Sequence, residues 1–319
     1  MLLILKSTGE LLENVQPGPG WSLPDNTVWI EMVDPMREEE LAVEAALGGV
    51  ELPTRDDMAE IEASSRLYQD GAATVMIATV LCESNGDSPV RGPVTFVLVN
   101  GLLVTIRYIA PKSFSSLAAQ AQRQPELRKS GLTVFMGLLE SIIDYTADLL
   151  ERTSAEVEAT SLVIFAANTR GNSFKVLLNR LAQAQSINAK ATESLVSLAR
   201  LISYAIIAQA IDEDGRRQLR SFERDVHSLT EHAAYVSNNL TFLLDAALGF
   251  INIEQNEITK VFSIYAVILL PPTLIAGIYG MNFHFLPELS WPLGYPFALL
   301  LMVISAGVPF AWFKRKGWL

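Results

Sequence analysis

The sequence predicts an α+β domain followed by long helices and then by two C-terminal transmembrane helices. Apolar runs of strand length are confined to the first third of the chain, and long amphipathic patterns replace them from about Gln124. From Val261 to Phe313 the only acidic residue is Glu288, and there is no Lys or Arg. A chain of 319 residues is long enough for several such parts.

Composition excludes some classes of function. The formal net charge of -11 argues against nucleic acid as a partner, because phosphate neutralisation needs clustered Lys and Arg. The single cysteine, Cys82, excludes an intrachain disulfide framework, and its apolar surroundings indicate a buried structural thiol. The short apolar start, Met1–Leu5, has no preceding basic region, so we expect no signal peptide and a cytoplasmic N-terminal part.

Residues 1–123 are predicted to form a cytoplasmic α/β domain. Helical patterns cover Arg37–Leu47 and Asp56–Ser64, and Thr54 is the expected N-cap of the second. Asn100-Gly101 separates two apolar runs and predicts a two-residue hairpin turn. The predicted strands are Leu2–Leu5, Val28–Met32, Ala73–Leu81, Thr95–Val99 and Leu102–Ile106.

Residues 124–215 are predicted to form antiparallel cytoplasmic helices. One pattern runs from Ser130 to Asn168 and breaks at Arg170-Gly171-Asn172, and a second ends near Ile211. Short breaks between long helices favour an antiparallel pair.

Residues 216–279 are predicted to form one stalk helix, because no Pro and only Gly249 interrupts the pattern before the first span. At the α-helical rise it extends about 96 Å. Apolar residues on its first part alternate spacings of three and four, which indicates a seam that needs partner helices. That partner is either the same chain or copies of the chain around an axis, and the sequence does not separate the two. The seam is Leu219, Phe222, Val226, Leu229, Ala233, Val236, Leu240, Leu243, Ala247 and Phe250.

Two spans, residues 261–279 and 295–313, are each about 28 Å long as helices, close to the thickness of a bilayer core. Pro271-Pro272 predicts a kink in the first span, since neighbouring helices satisfy freed carbonyl groups. Residues 280–294 form the outer loop. Lys260 precedes the spans and a basic tail, residues 314–319, follows them, so both termini are expected in the cytoplasm of a bacterial-type inner (plasma) membrane. A core hairpin in a soluble protein is the discounted alternative.

The first span and the residues before it carry polar side chains near one face. Asn256, Thr259, Ser263 and Thr273 recur at helical spacing. Helix–helix packing also uses such residues, and that interpretation stays open. A two-span subunit does not enclose a pore alone, so transport requires an oligomer with this face turned inward.

The outer end of the first span reads Tyr279-Gly280-Met281-Asn282-Phe283, and the second span follows Gly294-Tyr295-Pro296. With Phe250–Asn256, Leu270-Pro271-Pro272-Thr273 and the end Phe313–Leu319, this region resembles the CorA magnesium/cobalt transporter family, the two-span Gly-Met-Asn metal ion transporters. Glu60–Ser64 is similar to a stretch of that family's N-terminal domain. The resemblance is specific over about Phe250–Leu319 and architectural elsewhere.

The resemblance implies a funnel-shaped homopentamer in the lipid bilayer, with Gly280, Met281 and Asn282 as the selectivity filter. It also implies a pore-lining set, which we call the stripe: Asn256, Thr259, Phe262, Ala266, Leu270, Thr273 and Gly277. Mg²⁺ gives up its water shell reluctantly, so an Asn282 ring would accept hydrogen bonds from the hydrated ion. Glu288 in the loop would attract cations, or is simply a solvated carboxylate.

Family members are thought to close when cytoplasmic Mg²⁺ bridges acidic residues of adjacent subunits. Ser221 falls where one stalk aspartate is expected. The remaining candidates for a regulatory metal site are Glu83, Asp87, Glu223 and Asp225, and the simpler interpretation of each is a solvated surface carboxylate.

The implied function is passive, potential-driven influx of Mg²⁺, with Co²⁺ or Ni²⁺ also admitted, and divalent cations as the cargo. Mg²⁺ is both the transported and the regulatory ion, and no cofactor is expected. The alternatives are a zinc transporter of the same superfamily and a non-conducting membrane scaffold or sensor. We expect no enzyme, because the sequence has neither a paired metal-ligand motif nor a nucleophile elbow.

Overall fold

The computed structural model describes residues 1–18, 20–60, 62–83, 88–166, 172–282 and 287–318. The chain divides into two compact units. Unit 1 comprises Met1–Thr169 and Lys175–Leu244, and unit 2 comprises Arg170–Phe174 and Asp245–Leu319.

A seven-stranded sheet lies at the centre of unit 1. Its order is β2-β1-β3-β7-β6-β5-β4, and β3–β7 is the parallel pair in an otherwise antiparallel sheet. The strands are β1 (Leu2–Lys6), β2 (Leu11–Leu12), β3 (Thr27–Val33), β4 (Leu67–Asp70), β5 (Ala73–Cys82), β6 (Val90–Val99) and β7 (Leu102–Arg107).

The predicted hairpin between β6 and β7 is confirmed. Val99 pairs with Leu102, and Asn100 and Gly101 adopt φ angles of 49° and 79°. Positive φ at both central positions is what the type I′ turn requires. The turn fixes the register that buries all six residues of β7.

Three helices follow β3: α1 (Arg37–Ala46) and the shorter α2 (Arg55–Ala59) and α3 (Ala63–Arg66). Thr54 caps α2 as predicted, since its hydroxyl accepts from the Asp57 amide at 3.4 Å and its own amide donates to the Asp57 carboxylate at 2.8 Å. The single helix predicted over Asp56–Ser64 is wrong. The backbone turns extended at Glu60, with ψ of 146°, and two short helices replace it.

Longer helices complete the chain: α4 (Lys112–Arg123), α5 (Gly131–Ile164), α6 (Asn172–Ile207), α7 (Glu213–Tyr279) and α8 (Gly294–Arg315). Ser130 caps α5, where its hydroxyl accepts from the Thr133 amide at 3.2 Å. Of the expected break at Arg170-Gly171-Asn172, the first two residues lie outside the described residues, and Asn172 is the first residue of α6.

The sheet separates two apolar cores. One face packs on Val43 of α1 and Met58 of α2, and the other packs on helices α4 to α7 through residues such as Phe114 and Phe135. Unit 1 is therefore a layered α/β/α domain.

Helix α6 supplies hydrogen-bond partners to the part of β5 that extends beyond its pairing with β4. Ser194 Oγ donates to the Thr79 carbonyl and Ser197 Oγ accepts from the Thr79 amide, both at 2.9 Å. Buried backbone groups that lack a neighbouring strand need such partners.

The α7 seam packs inside its own chain. Eight of its ten residues are buried, while Leu229 is partly buried and Phe250 is 36% exposed. Leu219, Phe222, Val226 and Ala233 share one core with residues of α5 and α6. Asn188 of α6 donates from Nδ2 to the Ala233 carbonyl at 3.0 Å. Of the two partners left open by the sequence, the same chain is the one that covers the seam.

Candidate transmembrane pore and filter

Two helices of the structure are long and apolar enough to cross a membrane, α7 and α8. The end of α7 and most of α8 keep their large apolar side chains exposed, for example Leu274 at 66% and Val303 at 68%. Exposed apolar surface on this scale requires a partner other than water.

All seven stripe residues lie on α7, and all seven are exposed in unit 2. Phe262 is 70% and Leu270 is 64% exposed. The chain itself therefore leaves this face of α7 uncovered.

The hydroxyl groups near this face are oriented by their own helix. Thr259 donates to the Gln255 carbonyl at 2.9 Å, Ser263 donates to Thr259 at 2.8 Å, and Thr273 donates to Leu269 at 2.7 Å. Each hydroxyl hydrogen is thus used, and each oxygen retains lone pairs that accept hydrogen bonds. A face of such oxygens suits water molecules whose hydrogens point outward from a cation.

Helix α7 ends at the Gly-Met-Asn motif. The Gly280 amide donates to the Ala276 carbonyl at 2.9 Å, and the Met281 amide donates to Ile278 at 3.2 Å. Met281 is 47% exposed, and Asn282 is also exposed. Phe283 lies outside the described residues.

Gly280 does not have the positive φ of a tight reversal. A Cβ at this position would lie 3.0 Å from the Ala276 carbonyl oxygen. Glycine at position 280 therefore allows the backbone to lie close to the last helical turn, where a side chain would crowd the Ala276 carbonyl group.

The outer loop contains one short 3-10 turn, Pro287–Ser290. Glu288 belongs to this turn, but its side chain lies outside the described part of the chain. Beside Gly280 there is a cavity of about 400 Å³, whose lining includes Tyr279, Trp291 and Tyr295.

Of the four candidates for a regulatory metal site, two have other partners in the structure and one is not described. Glu83 forms an ion pair with Lys112, Glu223 accepts from Ser203 Oγ at 3.1 Å, and Asp87 lies outside the described residues. Within the described ranges, no group of three or more His, Cys, Asp or Glu side chains is placed to hold a metal ion.

Asp225 lies near Asp144 of α5, a proximity that the sequence does not reveal. Partial burial of the Asp144 carboxyl group, then repulsion from Asp148 and Asp225, raise the pKa of Asp144 above its ordinary value. The spacing of Asp144 and Asp148 on α5 signals a shared helix face, but their proximity to Asp225 of α7 depends on tertiary packing.

Together these features define an integral membrane protein with two spans, an α/β domain and an uncovered face on the helix that forms the first span. The chain belongs to the family described as CorA-like Mg2+ transporter protein, whose model matches residues 24–315. It is 34% identical over 294 residues to the magnesium transport protein CorA of Escherichia coli K12, covering 92% of each chain. The Salmonella typhimurium LT2 protein of the same description gives the same identity and coverage.

Solved structures show the same fold. The complete CorA magnesium transporter of Methanocaldococcus jannaschii matches with a TM-score of 0.76 at 20% identity, covering 100% of this chain and 99% of the other. The cytoplasmic domain of ZntB from Vibrio parahaemolyticus matches with a TM-score of 0.57 at 14% identity, covering 79% and 98%.

Proposed function

We propose that this chain carries Mg²⁺ across the membrane passively, driven by the membrane potential. The observation that carries the proposal is the uncovered stripe on α7, a helix that ends at Tyr279, three residues before Asn282. Membership of the CorA-like family supports Mg²⁺ as the cargo, and the curated relatives at 34% identity are magnesium transport proteins. The same relatives favour magnesium over zinc.

The driving force is sufficient without ATP. One elementary charge that crosses 100 mV gains about 2.3 kcal/mol, so a divalent cation gains about twice that amount. The large domain and both termini face the cytoplasm in this proposal, because Lys260 and the basic tail flank the spans on one side.

The pore requires several copies of the chain. One α7 offers a single face, and only a ring of such faces surrounds a water-filled path. We assign five copies on the family resemblance, with α7 inside and α8 outside. The exposed apolar surface of α8 then meets lipid.

Selection occurs at Asn282. A ring of its amide oxygens accepts hydrogen bonds from the water shell that Mg²⁺ retains. Neutral acceptors hold the ion weakly enough for release, whereas conduction fails when binding is too strong. Below the filter, a Phe262 ring is the narrow apolar point that closes the path by excluding water.

The filter assignment is tested by measuring Mg²⁺ and Zn²⁺ flux into proteoliposomes. Asn282→Ala is expected to lower Mg²⁺ flux at least tenfold, because the ring of acceptors is lost. Gln120→Ala removes an exposed amide of α4 in unit 1 and is the matched control, with flux equal to wild type. Unchanged Mg²⁺ flux in Asn282→Ala would contradict the assignment of Asn282 to the filter.

The two alternatives give different results in the same assay. Zn²⁺ flux that exceeds Mg²⁺ flux would make the protein a zinc transporter. No flux of either ion in wild type, with intact protein in the vesicles, would favour a non-conducting scaffold.

The second part of the proposal is that cytoplasmic Mg²⁺ regulates transport. In this proposal Mg²⁺ bridges Glu83, Asp87, Glu223 and Asp225 between adjacent subunits, as the family resemblance implies. Rising Mg²⁺ in the millimolar range should then protect the protein from protease. Absence of protection over that range would remove this part of the proposal and leave transport untouched.

A further inference from the structure

Aromatic and basic side chains meet where the second span ends. After α8 the chain turns back at Gly317, with φ of 68°, and the Trp318 amide donates to the Phe313 carbonyl at 3.0 Å. The Trp318 indole stacks on Phe313, with ring centroids 5.7 Å apart and planes at 19°. Trp318 is therefore held in place by both its backbone and its ring.

The same indole contacts the beginning of the first span. The Lys260 ammonium group lies 5.4 Å from the centroid of the Trp318 ring, within cation–π range. Lys316 makes the corresponding contact with Trp312 at 5.3 Å. Because Lys260 belongs to α7 and Trp318 follows α8, the Lys260–Trp318 contact joins the two spans at one membrane surface.

Four positively charged side chains lie at this junction. Lys260, Lys314, Arg315 and Lys316 have no Asp or Glu oxygen within 4 Å among the residues that the structure describes. The last three are exposed, and Trp312 and Trp318 are 50% and 46% exposed. Cations beside half-exposed indoles fit the level of lipid headgroups.

We propose that these four cations bind the headgroup phosphate of an anionic phospholipid, while Trp312 and Trp318 lie at the boundary of the acyl chains. The charge complementarity argues for an anion. The apolar surface of α8 next to the cations argues for a lipid rather than a soluble phosphate, since it accepts the acyl chains. The bound lipid adds a second connection between α7 and α8. The lipid site depends on the proposed function in one respect only, namely which membrane leaflet it faces.

The experiment uses the purified full chain in non-ionic detergent. Phosphatidylglycerol and phosphatidylcholine with identical acyl chains are titrated, and native mass spectrometry counts the bound lipids. Wild type is expected to prefer phosphatidylglycerol. The variant Lys314→Gln/Arg315→Gln/Lys316→Gln should bind it more weakly, by roughly fivefold for each charge removed. Trp318→Ala should give a smaller loss, because Lys260 is then no longer held at the site.

Lys129→Gln is the matched control, since it removes an exposed lysine of unit 1 that is paired with Glu126. Its lipid preference should equal that of wild type. Circular dichroism in the same detergent checks folding. If the triple variant does not fold, the single variants Lys314→Gln and Arg315→Gln replace it, each with roughly a fivefold loss.

Equal binding of phosphatidylglycerol to wild type and the charge variants would overturn the proposal. Competition by glycerol phosphate at equal concentration would also overturn it, because the site would then take a soluble anion. The readout is independent of transport: a protein that binds phosphatidylglycerol selectively but carries no Mg²⁺ retains the lipid site and loses the proposed function.

Discussion

At the scale of single residues, the acidic neighbours of Asp225 bear on stability. The pKa of Asp144 lies above its ordinary value of 3.8, because its carboxyl group is partly buried and faces Asp148 and Asp225. The folded protein therefore binds a proton at Asp144 more readily than the unfolded chain does. This unfavourable contribution is present at neutral pH and is relieved as the pH falls through the raised pKa.

Asp144→Asn is accordingly expected to raise the melting temperature slightly at pH 7. The gain over wild type should shrink as the pH falls through the raised pKa of Asp144, because Asp144 of the wild type then becomes neutral as well. Scanning calorimetry of both proteins between pH 7 and pH 4 measures this difference. Asp70→Asn, at an exposed position of β4, is the control and should show no such pH-dependent gain. A gain that stays constant with pH would contradict the assignment.

At the scale of elements, the seam of α7 holds unit 1 together. Leu240 is fully buried, and its replacement by Ala removes packing that the surroundings do not refill. Leu240→Ala should lower the free energy of unfolding by about 2–5 kcal/mol. Leu41→Ala on α1, where the side chain is 50% exposed, should change it far less.

Chemical denaturation followed by circular dichroism compares the two variants. Equal destabilisation by both would show that burial of the seam does not govern stability.

Most elements of unit 1 were predictable because their patterns are local. The five long strands are apolar runs, and the β6–β7 turn carries its own signal in Asn100-Gly101. Strands β2 and β4 were missed because they are short and depend on pairing with neighbours. Helix α4 was missed because small and polar residues fill most of it, although Phe114 and Leu117 have helical spacing.

The candidate site was predictable to a similar degree. A face of a helix follows from residue spacing alone, so the stripe and the position of Asn282 at the helix end could be read from the sequence. Trp318 and its contact with Lys260 could not, because 58 residues separate them and only tertiary packing brings them together. The partner of the seam was undecidable for the same reason.

At the scale of the whole molecule, the proposed pore predicts the size of the particle. Light scattering of the detergent-solubilised protein should give a protein mass about five times that of the 35.0 kDa chain. The prediction follows from the exposed stripe, which one chain leaves uncovered, and the number five follows from the family resemblance. A particle with the mass of one chain would contradict the pore, whereas another multiple would contradict only the number.

The uninterrupted course of α7 from Glu213 to Tyr279 has a consequence for insertions and deletions. The seam and the stripe occupy one helix, so the angle between them is set by the number of residues that separate them. One residue inserted between Leu244 and Asn256 would rotate the stripe by about 100° relative to the seam, and the stripe would then turn away from the axis of the proposed pore. Seven inserted residues would return it to within about 20°. The length of this segment should therefore vary among functional variants only in steps that preserve helical phase.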